Sequence, residues 1–143
     1  MKTKLGLWIA FGLFATAGTS APPDPVSVLD LVRRSQEAAQ LNQLESALDL
    51  ARQATELDAG YGGAWKQLGS VLLQQKDYDK AVEPLQTAAA LDPDNPSVLR
   101  EWSTALWLAG QTNVALDSLR RACEKEPMNA KWWRDLAGWH QAA

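Results

Sequence analysis

Residues 91–102, "LDPDNPSVLREW", decide how this chain is to be read. Pro93 and Pro96 lack the N–H that a continuing helix needs, and each pushes the residue before it out of the helical region. One helix therefore ends near Leu91. An apolar rhythm at helical spacing (Val98, Leu99, Trp102, Ala105, Leu106) follows Ser97 at once, so a second helix begins there. The stretch is a corner between two helices.

The corner recurs along the chain. Asp58, Asp92 and Glu126 place an acid just before Ala59, Pro93 and Pro127 at intervals of 34 residues. The same interval relates Ala47, Ala81 and Ala115, then Ala54, Ala88 and Ala122. It also relates a bulky series (Leu31, Trp65, Leu99, Trp133) and a small one (Ser35, Gly69, Ser103, Ala137). Each unit holds two amphipathic helices. In residues 62–95 the first is marked by Trp65, Leu68 and Leu72. The second, after a Lys76-Asp77 turn, is marked by Tyr78, Ala81, Val82, Leu85 and Ala88. Small residues let paired helices approach while Trp65 and Leu85 fill the space alongside. Pro84 lies inside this second helix, where an interior proline costs about 3 kcal/mol, and it reads as a kink compensated by packing.

At these residues the sequence resembles the tetratricopeptide repeat family. Residues 62–95 carry Trp65-x2-Leu68-Gly69, Ala81, Leu85, Ala88 and Pro93. Residues 96–129 keep Trp102, Ala115, Leu119, Ala122 and Pro127, with Leu99 and Ser103 replacing the tryptophan and glycine. Residues 28–61 are more degenerate: they keep Leu31, Ser35, Ala47 and Ala54, but Arg34 stands where a core leucine is expected. Residues 130–143, with Trp133, Leu136 and Ala137, look like the first helix of a fourth unit serving as a cap. The resemblance implies an all-α fold, a right-handed α-solenoid of helix-turn-helix units with three repeats and a capping helix.

The first residues are of another kind. Lys2 and Lys4 precede an apolar run from Leu5 to Ala17, which is shorter than the roughly 18 to 20 residues that span a bilayer. Residues 1–17 therefore read as a secretory signal. A cut after Ala17 fits the small-x-small rule, whereas one after Ala21 would put Pro22 at the new terminus. Residues 18–27 read as a proline-rich linker. Beyond residue 17 the chain has 12 basic and 17 acidic residues, a net charge of −5. The expectation is an exported protein, periplasmic or secreted. The alternative is an uncleaved anchor over residues 5–21, with the lysines inside and the body outside.

Composition excludes several classes. No long run of one sign supports a nucleic-acid grip. One cysteine, Cys123, and one histidine, His140, leave no intrachain disulfide and no His/Cys zinc cluster. Cys123 reads as a small packed apolar group, and His140 falls where Leu72 and Leu106 stand in earlier units. With no phosphate loop, metal spacing or triad, a non-enzymatic protein without cofactor is expected.

The resemblance implies that the first helix of each unit lines a concave groove holding a peptide or a partner's helix. Spacing says which residues share that face. Lys66, Arg100 and Arg134 lie 34 apart and form a basic ladder, extended by Ser70 and Thr104 and by Leu73 and Trp107. Such a groove would suit a protein or peptide partner with acidic side chains or a free carboxylate. Family members that clamp the C-terminal carboxylate of cytosolic chaperones use lysines, asparagines and an arginine across three units. Val32, Gln36, Gln67, Ser70 and Glu101 stand in most of those places, so that activity is not supported. The alternative function is a membrane-anchored assembly factor, acting through self-association or as accessory to a catalytic partner.

Overall fold

The computed structural model describes residues 26–143. The expectations for residues 1–17, and for the linker as far as residue 25, lie outside the described residues. Seven helices and no strand occur among the described residues: α1 (Val28–Gln40), α2 (Leu44–Leu57), α3 (Gly62–Gln74), α4 (Tyr78–Leu91), α5 (Pro96–Leu108), α6 (Thr112–Lys125) and α7 (Ala130–Ala142). None is long and apolar enough to cross a membrane.

Local chemistry sets the corners. Asn95 caps α5, its side-chain oxygen accepting from the backbone N–H groups of Ser97 and Val98 at 3.1 and 3.3 Å. The helix consequently starts at Pro96, one residue before the expected Ser97, because proline at the first helical position surrenders an N–H that has no helical partner there. The acids before each corner tie down the turns. Asp58 accepts from the Gly60 N–H, Asp92 from the Asn95 amide and Glu126 from the Asn129 amide, at 3.0, 2.8 and 3.2 Å.

The turn within each repeat is equally regular. Asn42, Lys76 and Gly110 have φ of 58, 64 and 82°. In each case the next residue's N–H reaches back to the helix: Gln43 to the Ala38 carbonyl, Asp77 to Leu72 and Gln111 to Leu106, at 2.9, 3.0 and 2.8 Å. This left-handed cap satisfies carbonyls that a helix end leaves open. Pro84 does not interrupt α4, and its ring is buried within the stack.

The first helices of successive repeats (α1, α3, α5, α7) each use three faces. One meets the same repeat's second helix: Leu31, Ser35 and Ala38 in α1, then Leu99, Ser103 and Leu106 in α5, are all buried. A second meets the preceding repeat. Ala64, Leu68 and Val71 of α3, and Val98 and Ala105 of α5, are buried there, and Trp132, Leu136 and Trp139 of α7 pack against α6 near Leu119 and Cys123. At the corresponding places α1 carries Asp30, Arg34 and Glu37. Arg33 pairs with Asp30 and Glu37 at 2.5 and 2.6 Å. Arg34 is thus no defect of the first repeat: no described helix precedes α1, so the position is solvated and tolerates charge.

The closest approach lies at the small-residue series. A Cβ on Gly69 would come within 2.3 Å of the Leu85 side chain, whereas one on Gly138 would meet nothing within 4 Å. Gly69→Ala is therefore expected to lower stability by about 1–3 kcal/mol through overpacking. Gly138→Ala is expected to be neutral or to stabilise by up to about 1 kcal/mol through helix propensity. Thermal and urea denaturation of the two variants measure the contrast.

Candidate functional site

The third face of the first helices forms one side of the stack. Of the sequence-predicted residues, Lys66, Ser70, Arg100, Thr104 and Trp107 all lie there half-buried, and Arg134 lies there exposed.

Lys66 and Arg100 are not free cations. Lys66 Nζ lies 3.4 Å from Glu101 Oε1, and Ser70 Oγ donates to the other oxygen of the same carboxylate. Arg100 Nη2 donates to Asp135 Oδ2 at 3.0 Å, while its Nη1 donates to Thr104 Oγ1. Each ladder cation therefore meets an acid on the following repeat. That acid sits one residue after the following repeat's own ladder position, so the pairing interval is 35 rather than 34. The expectation of an uninterrupted basic ladder is corrected accordingly: cation and acid alternate. The signal was present in the neighbours Arg100-Glu101 and Arg134-Asp135, but same-register alignment cannot show a pair that steps across registers. Arg134 has no ion-pair partner among the described residues, since its acid would come from one repeat further on. In repeat 1 the position is Val32, and the inter-repeat link is instead a buried hydrogen bond from Gln67 Nε2 to Ser35 Oγ at 3.0 Å.

Trp107 is stacked on Trp139, with ring centroids 4.7 Å apart and planes within 6° of parallel. The Arg100 guanidinium lies over Trp139, 6.0 Å from its centroid. Sequence reading placed Trp107 here and missed Trp139, which comes from a different helix. Together Arg100, Thr104, Trp107, Asp135 and Trp139 form one cluster between α5 and α7, with Arg134 on the same face.

The remaining reactive side chains stand apart from it. Cys123 is buried against Leu119 and Leu136, and burial pushes its thiol pKa up, opposite to what a nucleophile needs. His140 is exposed. No group of three or more metal-ligating side chains occurs among the described residues.

Residues 32–96 match the family described as tetratricopeptide repeat. The fold is a tetratricopeptide solenoid. A stretch of 78 residues is 33% identical to the small glutamine-rich tetratricopeptide repeat-containing protein 2 of Mycosarcoma maydis, covering 54% of this chain and 22% of that protein. The chain thus spans about a fifth of that relative's length. Among solved structures, the first such domain of Spaghetti (RPAP3), bound to the HSP90 peptide SRMEEVD, superposes with a TM-score of 0.78 at 18% identity, over 83% of this chain and 94% of that one. The OM64 domain of Arabidopsis gives 0.76 at 16% identity, over 81% and 96%. MamA of Desulfovibrio magneticus gives 0.75 at 19% identity, over 81% and 66%.

In this solenoid Lys66 and Glu101 are each roughly one-third exposed (32% and 29%), so solvent screens their attraction. A double-mutant cycle on Lys66→Met and Glu101→Gln is expected to give a coupling of about 0.5–1 kcal/mol, falling as salt is raised. Urea denaturation of the four chains at two salt concentrations supplies the measurement.

Proposed function

We propose that the chain is a non-enzymatic interaction scaffold that holds a protein segment, as an extended peptide or a helix, along the face shared by α3, α5 and α7. The observation that carries this reading is the cluster at the α5–α7 end. There a stacked tryptophan pair, one arginine engaged by Asp135 and one arginine without an ion-pair partner among the described residues share a half-open surface. The tryptophans supply apolar area at low conformational entropy, and Arg134 supplies charge-assisted hydrogen bonds.

The ligand that fits is a segment with an apolar or aromatic residue next to an acidic side chain or a free carboxylate. The Spaghetti domain, of the same fold, was solved with an acidic peptide. In this chain the carboxylate-clamp places are held by Val32, Gln36, Gln67, Ser70 and Glu101, so recognition would centre on α5 and α7 instead. Glu101 and Asp135 act against an acidic ligand, because each must give up part of its pairing or repel the incoming charge.

The test is to pan the chain against a displayed random-peptide library, then titrate the enriched peptides. Enriched peptides are expected to carry Asp, Glu or a C-terminal carboxylate beside an apolar residue. Arg134→Glu and Trp107→Ala should each weaken them about tenfold or more, Glu101→Gln should tighten them, and Lys80→Glu on α4 should change nothing. Peptides of no common chemistry, or binding indifferent to Arg134 and Trp107, would refute the assignment.

We further propose that this scaffold is exported, on the strength of the Lys2 and Lys4 flank, the apolar run to Ala17 and the small residues after it. Intact-mass measurement of the protein from its native source is expected to give a chain starting at Gly18. A chain retaining Met1 in the membrane fraction would establish the anchored alternative.

A further inference from the structure

The two ends of the stack differ in a way the groove does not explain. At the α1 end, the face that in α3 and α5 meets the preceding repeat carries Asp30, Arg34 and Glu37, with Arg33 beside it paired to Asp30 and Glu37. At the α7 end a single polar side chain, His140 in place of the buried Leu72 and Leu106, departs from the pattern of the covered face. The face of α7 that in every earlier repeat is covered by the second helix retains the covered pattern: Trp133 where Leu31, Trp65 and Leu99 stand, and Ala137 where Ser35, Gly69 and Ser103 stand. Leu99 is 0% exposed and Trp133 is 41% exposed, with Ala130, Ala137 and His140 also open. Met128, on the turn leading into α7, is 95% exposed beside a shallow depression of about 580 Å³ lined by Glu126, Pro127, Met128, Asn129 and Ala130.

Trp133 is held in the manner of its half-buried counterpart Trp65. Trp65 Nε1 donates to the carbonyl six residues back, Ala59, at 2.8 Å, and its ring packs against the repeat cores. Trp133 Nε1 makes the equivalent bond to the Pro127 carbonyl at 3.0 Å. The ring is fixed for packing, while the helix that covers it in the other repeats is absent from the described residues.

We propose that this face of α7 is a docking site for an amphipathic helix of a partner protein, seated as the second helix of a fourth repeat and continuing the layer α2, α4, α6. The chain itself states what such a helix must carry. In α6 the covering face is Ala115, Leu119 and Ala122, and in α4 it is Ala81, Leu85 and Ala88, all fully buried. The partner therefore presents a small residue, a leucine or other compact apolar residue four later, and a small residue three beyond that. Ala137 has a methyl group where Gly69 has none, which favours the looser fit made by Ser103 and Leu119 over the tight one at Gly69 and Leu85. Charge opposite Trp133 and Ala137 is excluded, because neither offers a counter-charge, and polar groups of the partner helix are confined to the end beside His140.

Register supplies the experiment. Ala143 occupies the place that Ala109 holds before α6, so residues Gly110–Lys125 appended after Ala143 put a copy of α6 at the proposed position. The extended chain is expected to melt about 5 °C or more above the original. Ala137→Glu should remove that gain while leaving the original chain's melting within about 1 °C, since the position is open in it. Trp133→Glu, which also loses the bond to Pro127, should remove the gain measured against its own unextended chain. In trans, a fluorescein-labelled, lactam-bridged peptide of the α6 sequence should bind the unextended chain, as read by anisotropy. Either substitution should weaken it about tenfold, and the extended chain should not bind it. No gain in melting, or no binding at peptide concentrations up to about 1 mM, would overturn the proposal. Sedimentation showing a dimer of the unextended chain that Trp133→Glu dissolves would assign the face to a second copy and overturn the partner.

Discussion

The structure depends on how closely the two helices of each repeat can approach. The limiting contact is set at Ser35, Gly69 and Ser103, where the first helix offers almost no side chain and the second places Ala51, Leu85 or Leu119 in the same register. Gly69 and Leu85 show the constraint most sharply, since even a methyl group would collide with the leucine. Because backbones draw together there, Leu31, Trp65 and Leu99 can pack on Ala54, Ala88 and Ala122 alongside, and the cores of neighbouring repeats merge. One cluster runs from Ala38 in α1 to Ala105 in α5. The third face of each first helix enters this packing only at its apolar positions, such as Val32 and Leu73, so its polar residues are free to vary in chemistry without loss of fold.

Electrostatics gives the stack a direction. A cation on one repeat meets an acid on the next, Lys66 with Glu101 and Arg100 with Asp135, so the chain of pairs begins at α3 and leaves Arg134 over at α7. Arg33, at the acid's register in α1, turns instead to Asp30 and Glu37 on its own helix. The result is a charge-saturated α1 end and an α7 end with an open tryptophan and an arginine that has no ion-pair partner among the described residues. Both the groove reading and the docking face draw on this asymmetry, yet they use different sides of α7. Arg134 and the Trp107–Trp139 stack serve the first, and Trp133 and Ala137 serve the second.

Turn geometry explains why the register holds over three repeats. Asn42, Lys76 and Gly110 each adopt a left-handed backbone, and the bond from the following N–H closes each helix at the same point. Glycine takes that conformation freely and asparagine tolerates it, whereas for an ordinary L-residue such as Lys76 the left-handed region is disfavoured by about 1–2 kcal/mol. That Lys76 occupies it shows that the packing on both sides prescribes the turn.

The sequence alone determined the helical units, their interval and the face on which the ladder residues lie. These follow from local effects: prolines that end helices, apolar spacing near 3.6, and alanines that recur at 34 residues. Even the start of α5 was off by only one residue, because Asn95 caps the helix ahead of Pro96. Tertiary structure alone decided which charges in the groove are available. Glu101 and Asp135 neutralise Lys66 and Arg100 at an interval of 35, and Trp139 comes to lie flat on Trp107 at an interval of 32, because the facing sides of adjacent first helices bring together residues of different register. A repeat alignment places equivalent residues side by side. Only the packed helices, with their sideways displacement, show which non-equivalent residues meet.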